Sequence, residues 1–156
     1  MANDMERQLV VFDLAGENYG VNIGTVREII RMQAITHLPE APEYVEGVIN
    51  LRGRVIPVID LRQRFGLAVT EHTTESRIVV VDITGADIGV IVDAVAEVLR
   101  VPTDAIAPAS ALVTNEASQY MDGIAKIGER LLILLDLDRV LQLGEREAIT
   151  EAAAAA

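Results

Sequence analysis

The chain has 156 residues, 51% of them apolar and mostly Val, Ile, Leu and Ala, with a formal net charge of −11. That is enough apolar matter to build a core, so disorder is excluded, and the acid excess disfavours a nucleic-acid or anionic-membrane role. There is no Cys, which removes disulfides, thiol catalysis and thiolate metal sites.

Residues 1–7 read as a loose tail. Residues 9–14 predict a strand, 15–18 (Ala-Gly-Glu-Asn) a turn and 19–23 the returning strand. Residues 25–29 fit either one helical turn or an extended piece. Pro39 and Pro42 punctuate a loop over 37–42, where regular pairing is forbidden. Residues 45–51 predict a strand, Arg52-Gly53 a tight turn and 55–59 the partner strand. Pro57 lies inside that partner, which places it at a sheet edge or beside a bulge. Asp60 then caps a short helix over 61–65, ended by Gly66. A polar link over 67–75 leads to a second hairpin, with strands over 77–84 and 88–99 around Gly85-Ala86-Asp87. Residues 103–106 read as a capped turn ended by Pro108, and 109–118 as a loop. A last strand pair covers 121–127 and 131–135, and Asp136 caps a final helix over 137–141. The Ala-rich stretch over 144–156 reads as a flexible tail with no assigned role.

The chain contains itself twice. Residues 10–30 align without gaps on 79–99, sharing Val10/Val79, Asp13/Asp82, Gly16/Gly85, Gly20/Gly89, Val26/Val95 and Glu28/Glu97. Residues 47–65 align on 123–141, with Gly47/Gly123, Arg54/Arg130 and Asp60/Asp136 in register. Such a duplication builds two similar β-subdomains. Each copy is too small to bury much alone, so the two should pack on each other.

Motifs for chemistry are absent from the sequence. His37 and His72 lack ligand spacing, no phosphate loop occurs, and no Ser lies in a nucleophile elbow. Asp60 and Asp136 could be imagined as the carboxylate pair of a small hydrolase. Each follows a strand and precedes a helical pattern, so helix capping is the more natural reading. No cofactor or metal is expected. The polar N-terminus resembles no signal peptide, and the apolar runs are short, so a cytoplasmic protein is expected. Charge is locally inverted at residues 52–64, where Arg52, Arg54, Arg62 and Arg64 meet only Asp60. The bland reading of that cluster, for Arg54, Arg62 and Arg64, is a solvated rim with an internal Arg–Asp pair.

The stretch GVINLRGRVIPVIDLR, residues 47–62, together with Tyr19-Gly20-Val21, Val26-Arg27-Glu28-Ile29 and GERLLILLDLDRVL at the end of the second repeat, resembles the CheW family of bacterial chemotaxis coupling proteins. The likeness covers about residues 8–143. It implies a mainly β fold of two pseudo-repeated SH3-like five-stranded β-barrels packed together, with a few short helices. The subdomains would span roughly 8–70 and 71–143 and be intertwined. With no kinase core, receiver or phosphotransfer unit in the sequence, the resemblance is to the stand-alone adaptor. It implies a non-enzymatic scaffold, monomeric when free. This would join the cytoplasmic tips of methyl-accepting chemoreceptors to the regulatory domain of the histidine kinase CheA, in arrays held at the membrane's inner face through protein contacts.

The resemblance also implies sites. A helical receptor tip calls for an apolar groove. Ile23, Val26, Ile29 and Ile30 would form one wall, with Val95, Val98 and Leu99 opposite. Their spacing suits core packing equally well. Glu28 and Arg52 are the polar pair expected to matter for coupling, either by reaching partners or by pairing with one another. Gly47 would permit a close backbone approach or serve conformation alone. Residues 36–46 and the Arg54 turn are expected on the kinase side.

Overall fold

A computed structural model describes residues 6–39, 41–68, 70–83, 85–108 and 120–140. The expected loop over 109–118 and the tail over 144–156 lie outside the described residues.

The first hairpin is β1 (Glu6–Leu14) and β2 (Glu17–Asn22). β1 takes in Glu6 and Arg7, so the expected tail ends earlier than residue 7. The turn residues Ala15 and Gly16 both have positive φ, 52° and 82°, as in a type I′ turn, whose twist matches that of the strands it joins. A 3-10 turn at Ile23–Thr25 leads into β3 (Val26–Arg31), so the ambiguous stretch is extended from Val26 onward. β4 (Val45–Leu51) and β5 (Arg54–Asp60) form the second hairpin, across Arg52 and Gly53 at φ 52° and 86°. Asp60 caps α1 (Leu61–Arg64) by accepting the Arg62 N–H at 2.9 Å. The second half supplies β6 (Arg77–Ile83), β7 (Ala86–Val92), β8 (Ala94–Pro102), β9 (Ile106–Ala107), β10 (Met121–Ile127), β11 (Arg130–Leu135) and α2 (Leu137–Val140).

The strands form two sheets, ordered β8-β1-β2-β11-β10-β9 and β3-β6-β7-β5-β4. Neither sheet coincides with residues 8–70 or 71–143. Each takes one hairpin from one half of the chain and its other strands from the other half. β2 runs parallel to β11 (Tyr19 opposite Ile133), and β7 runs parallel to β5 (Gly89 opposite Val58). The chain therefore passes between sheets twice, at 23–25 and at Asp93. That second passage corrects the expectation of one long strand over 88–99: β7 ends at Val92, and β8 starts at Ala94 in the other sheet. The sixth strand, β9, is only two residues long. Its counterpart in the five-stranded sheet is a single bridge between Thr36 and Val48.

Pro57 is buried in an interior strand, since β5 lies between β7 and β4. The edge placement is thus corrected, whereas the neighbouring bulge is present, at Val45/Gly47 of β4. Opposite Pro57, Val48 turns both its backbone groups to Thr36, at 2.8 Å each. Val48 and Pro57 are therefore a non-hydrogen-bonded pair, and Pro57 needs no donor toward β4. On its other side the β5–β7 ladder begins only at Val58.

Alternation along β1 and β6 divides the apolar matter into layers. Val10, Phe12, Val79 and Val81 enter a core shared by both sheets. Ile78 and Val80 face the other way, into a cluster with Ile49, Leu51, Ile56, Val58 and Ile91. Leu9 and Val11 do the same with Val101, Ala125, Leu132 and Leu134. Each of these two clusters draws on one sheet alone, which requires that sheet to curl around it.

Candidate functional site

β3 and β8 are both outermost strands, one in each sheet. Along β3, half-buried and exposed residues alternate from Val26 to Arg31. Val26 packs against the shared core and Ile30 against the five-stranded sheet's own cluster, whereas Ile29 is 40% exposed. On β8, Val95 packs against the shared core and Leu99 against the six-stranded sheet's cluster, whereas Val98 is 53% exposed. The expected walls therefore separate into supports (Val26, Ile30, Val95, Leu99) and outward groups (Ile29, Val98). Ile29 and Val98 occupy equivalent positions of the repeat. Ile23, in the turn before β3, is exposed as well.

Glu28 and Arg52 form an ion pair. Arg52 stands on the β4–β5 turn, and the hydrogen bond and charge of Glu28 raise its guanidinium pKa above the ordinary value. Arg54 turns elsewhere and meets Asp87 at 2.8 Å, where Arg27 also arrives at 3.3 Å. The repeat preserves this corner: Arg130, the counterpart of Arg54, meets Asn18, the counterpart of Asp87, at 3.1 Å. Arg130 also reaches Glu97, the counterpart of Glu28, at 3.3 Å.

Gly47 has a φ of 151°, and a Cβ there would lie 2.0 Å from the Thr36 carbonyl oxygen. A Cβ on Gly123 would lie 2.8 Å from the Ala107 carbonyl oxygen. In both copies a second chain segment thus crosses where only glycine admits it.

The rim reading of the arginine cluster holds for Arg54, which is exposed, but fails for Arg62 and Arg64. Arg62 is largely buried and forks onto Asp93, with Nε to Oδ1 at 3.0 Å and Nη2 to Oδ2 at 2.6 Å. Arg64 stacks over Tyr44 and Tyr120 and donates to the Val140 carbonyl at 2.7 Å. Asp93 is the site residue that sequence reasoning missed. Its signal was a break in the repeat, where Gly24 and Asp93 occupy the same position.

Asp60 and Asp136 do not converge. Asp60 lines a cleft of about 340 Å³ with Arg62, His72 and Asp93. Asp136 lines another of about 460 Å³ with Asp82, Asp122 and Asp138. Each accepts a helix N–H, from Arg62 and Asp138 respectively, so both are caps. Among the described residues, no helix is long and apolar enough to cross a membrane.

The family model described as the CheW-like domain matches residues 8–145. The chain is 31% identical over 147 residues to the chemotaxis protein CheW of Klebsiella aerogenes, covering 94% of this chain and 89% of that protein. It is 37% identical over 142 residues to the chemotaxis protein CheW of Rhizobium meliloti, covering 91% and 92%. Among solved structures it is similar to the scaffolding protein TtCheW from Thermoanaerobacter tengcongensis, with 40% identity and a TM-score of 0.83 over 90% of this chain and 96% of that one.

Proposed function

The chain belongs to the CheW-like family of chemotaxis scaffold proteins, and from that premise we propose that it couples methyl-accepting chemoreceptors to the histidine kinase CheA. It makes and breaks no bonds itself. It is monomeric when free and works in the cytoplasm, within arrays on the inner face of the membrane.

The observation that carries the receptor side is the shared exposure of Ile29 and Val98 at equivalent repeat positions. Two outermost strands from two different sheets each expose one large apolar side chain at the same repeat position. A helical receptor hairpin presents an apolar stripe that such residues can grip. Val26, Ile30 and Leu99 back them from the core side, and Glu28, held by Arg52, supplies the polar margin of the β3 wall. The kinase side falls to exposed loops and strand ends, including residues 36–46, Gly47 and Arg54.

Calorimetry with a receptor cytoplasmic fragment and, separately, with the kinase regulatory domain tests the reading. Binding to both, and a ternary complex when all three are mixed, is the expected result. Binding to neither partner from the protein's own organism overturns it.

A further inference from the structure

The two passages between sheets are built differently. At the second, the Asp93 carboxylate is gripped from both sheets. Arg62, one residue into α1 behind β5, forks onto both its oxygens at 3.0 and 2.6 Å. The Ala15 N–H, in the β1–β2 turn of the other sheet, donates to Oδ2 at 2.8 Å. The Asp93 N–H donates to the Asp13 carbonyl at 3.0 Å. Arg62 is itself fixed by a third bond, from Nη1 to the Ala68 carbonyl at 2.8 Å. Its side chain is 16% exposed, against 68% for Arg52.

At the first passage the repeat places Gly24 where Asp93 stands and Asp138 where Arg62 stands. A glycine carries no carboxylate, and an aspartate offers no fork. At that turn, among the described residues, the side-chain hydrogen bond is a local one, from the Thr25 hydroxyl to the Asn22 carbonyl at 2.7 Å.

We propose that Arg62 and Asp93 are positioning residues that clamp the second passage, fixing β8 and its exposed Val98 relative to the sheet that carries Ile29. A planar fork fixes direction as well as distance, which a single ion-pair contact does not. Asp93 follows the last residue of β7 and precedes the first of β8, so a rotation there would swing β8 as a whole. The functional consequence rests on the receptor reading above, but the clamp does not.

The test uses the full chain with Asp93→Asn, Arg62→Lys and the double variant. Arg62→Lys keeps the charge but loses the fork. The first readout is amide exchange together with the Arg62 Nε–H resonance. The clamp predicts loss of that resonance in Asp93→Asn and about tenfold faster exchange at Ala15 and Asp93 in every variant, with the core strands unchanged. The double variant should match the singles, because the pair acts as a unit. The second readout is affinity. Binding of a receptor cytoplasmic fragment should weaken about tenfold, and binding of the kinase regulatory domain should stay within about twofold. Exchange at Ala15 and Asp93 unchanged, or raised uniformly across both sheets, would overturn the clamp. So would normal receptor affinity in variants whose Ala15 amide has been released. If Asp93→Asn does not fold, Arg62→Lys is read against the same criteria. If the unaltered protein binds no receptor fragment, the functional reading fails, and the exchange data still decide the clamp.

Discussion

Glu28 and Arg52 join opposite margins of the five-stranded sheet. Glu28 lies on β3, the first strand in the sheet's order, and Arg52 on the turn that leaves β4, the last. A contact between the two margins of one sheet closes that sheet into a barrel around its own apolar cluster. The same link fixes the polar end of the β3 wall. Arg52 has a positive φ, a conformation that costs a non-glycine residue strain and that the I′ turn imposes at this position.

Replacing Arg52 with Ala or Glu should weaken formation of the ternary complex while leaving the far-UV spectrum and melting profile near those of the unaltered protein. Glu28→Gln completes a double-mutant cycle on binding. If the residues act on partners through their mutual pair, the double variant loses no more than either single one. Additive losses would mean that each contacts a partner directly. Full coupling by Arg52→Ala would remove that residue from the site.

Exposure separates the wall residues by consequence. Ile29→Asp and Val98→Asp should cost receptor binding about tenfold or more, with stability within about 0.5 kcal/mol. Ile30→Asp and Leu99→Asp place a charge against apolar clusters and should destabilise the fold by about 3 kcal/mol. Val26→Asp belongs with the second group, since Val26 packs on the shared core. Denaturant midpoints and calorimetry on the same samples decide, and unfolding by the Ile29 or Val98 variants would show that the groove is misplaced.

Gly47→Ala should destabilise by about 3 kcal/mol, because the new Cβ would meet the backbone of Thr36 and φ would be unfavourable. Gly53→Ala is the control. It has open space around it, only its φ of 86° is wrong, and the cost should be about 1 kcal/mol. Equal losses in urea unfolding would contradict the close-approach reading of Gly47.

Acid should weaken the Asp93 anchor. The hydrogen bond from Arg62 holds the Asp93 carboxyl below its ordinary value of 3.8, with help from the Ala15 N–H and from the charges of Arg62 and His72, and against desolvation. Asp13, Asp60, Glu71 and Glu75 line the same cleft. A carboxyl depressed in the folded state takes up protons more readily when unfolded. Its stabilisation is therefore complete above the unfolded-state value and is lost as pH falls through the lower folded-state value. The stability difference between the unaltered protein and Asp93→Asn should be constant above about pH 5 and shrink toward about pH 3. A difference that grows on acidification would contradict the assignment.

Much of this was legible in the residues. The repeat announced two similar β bodies, and turn chemistry located the hairpins at Gly16 and Gly53. Partner choice was not legible. A run such as 77–83 declares a strand, but nothing in its side chains says that it will pair with β3 from the other half of the chain. For the wall residues, the sequence left 25–29 either helical or extended, so it did not say which apolar groups face out. As a strand, the same stretch sends Val26 and Ile30 inward and Ile29 outward. Pro57 was read at an edge or beside a bulge because proline lacks a donor; the bulge is there, and the interior site tolerates proline because both neighbouring ladders leave that donor unused. Asp93 escaped notice because it looked like a polar residue within a long strand, and only the crossing of the chain between sheets gives it partners.

The most direct test of the account is chemical-shift mapping of the labelled protein titrated with a receptor cytoplasmic fragment. The account predicts perturbations concentrated at Glu28, Ile29, Arg52 and Val98, with residues 36–46 and Arg54 responding instead to the kinase regulatory domain. Receptor-induced shifts that leave both β3 and β8 untouched would contradict it.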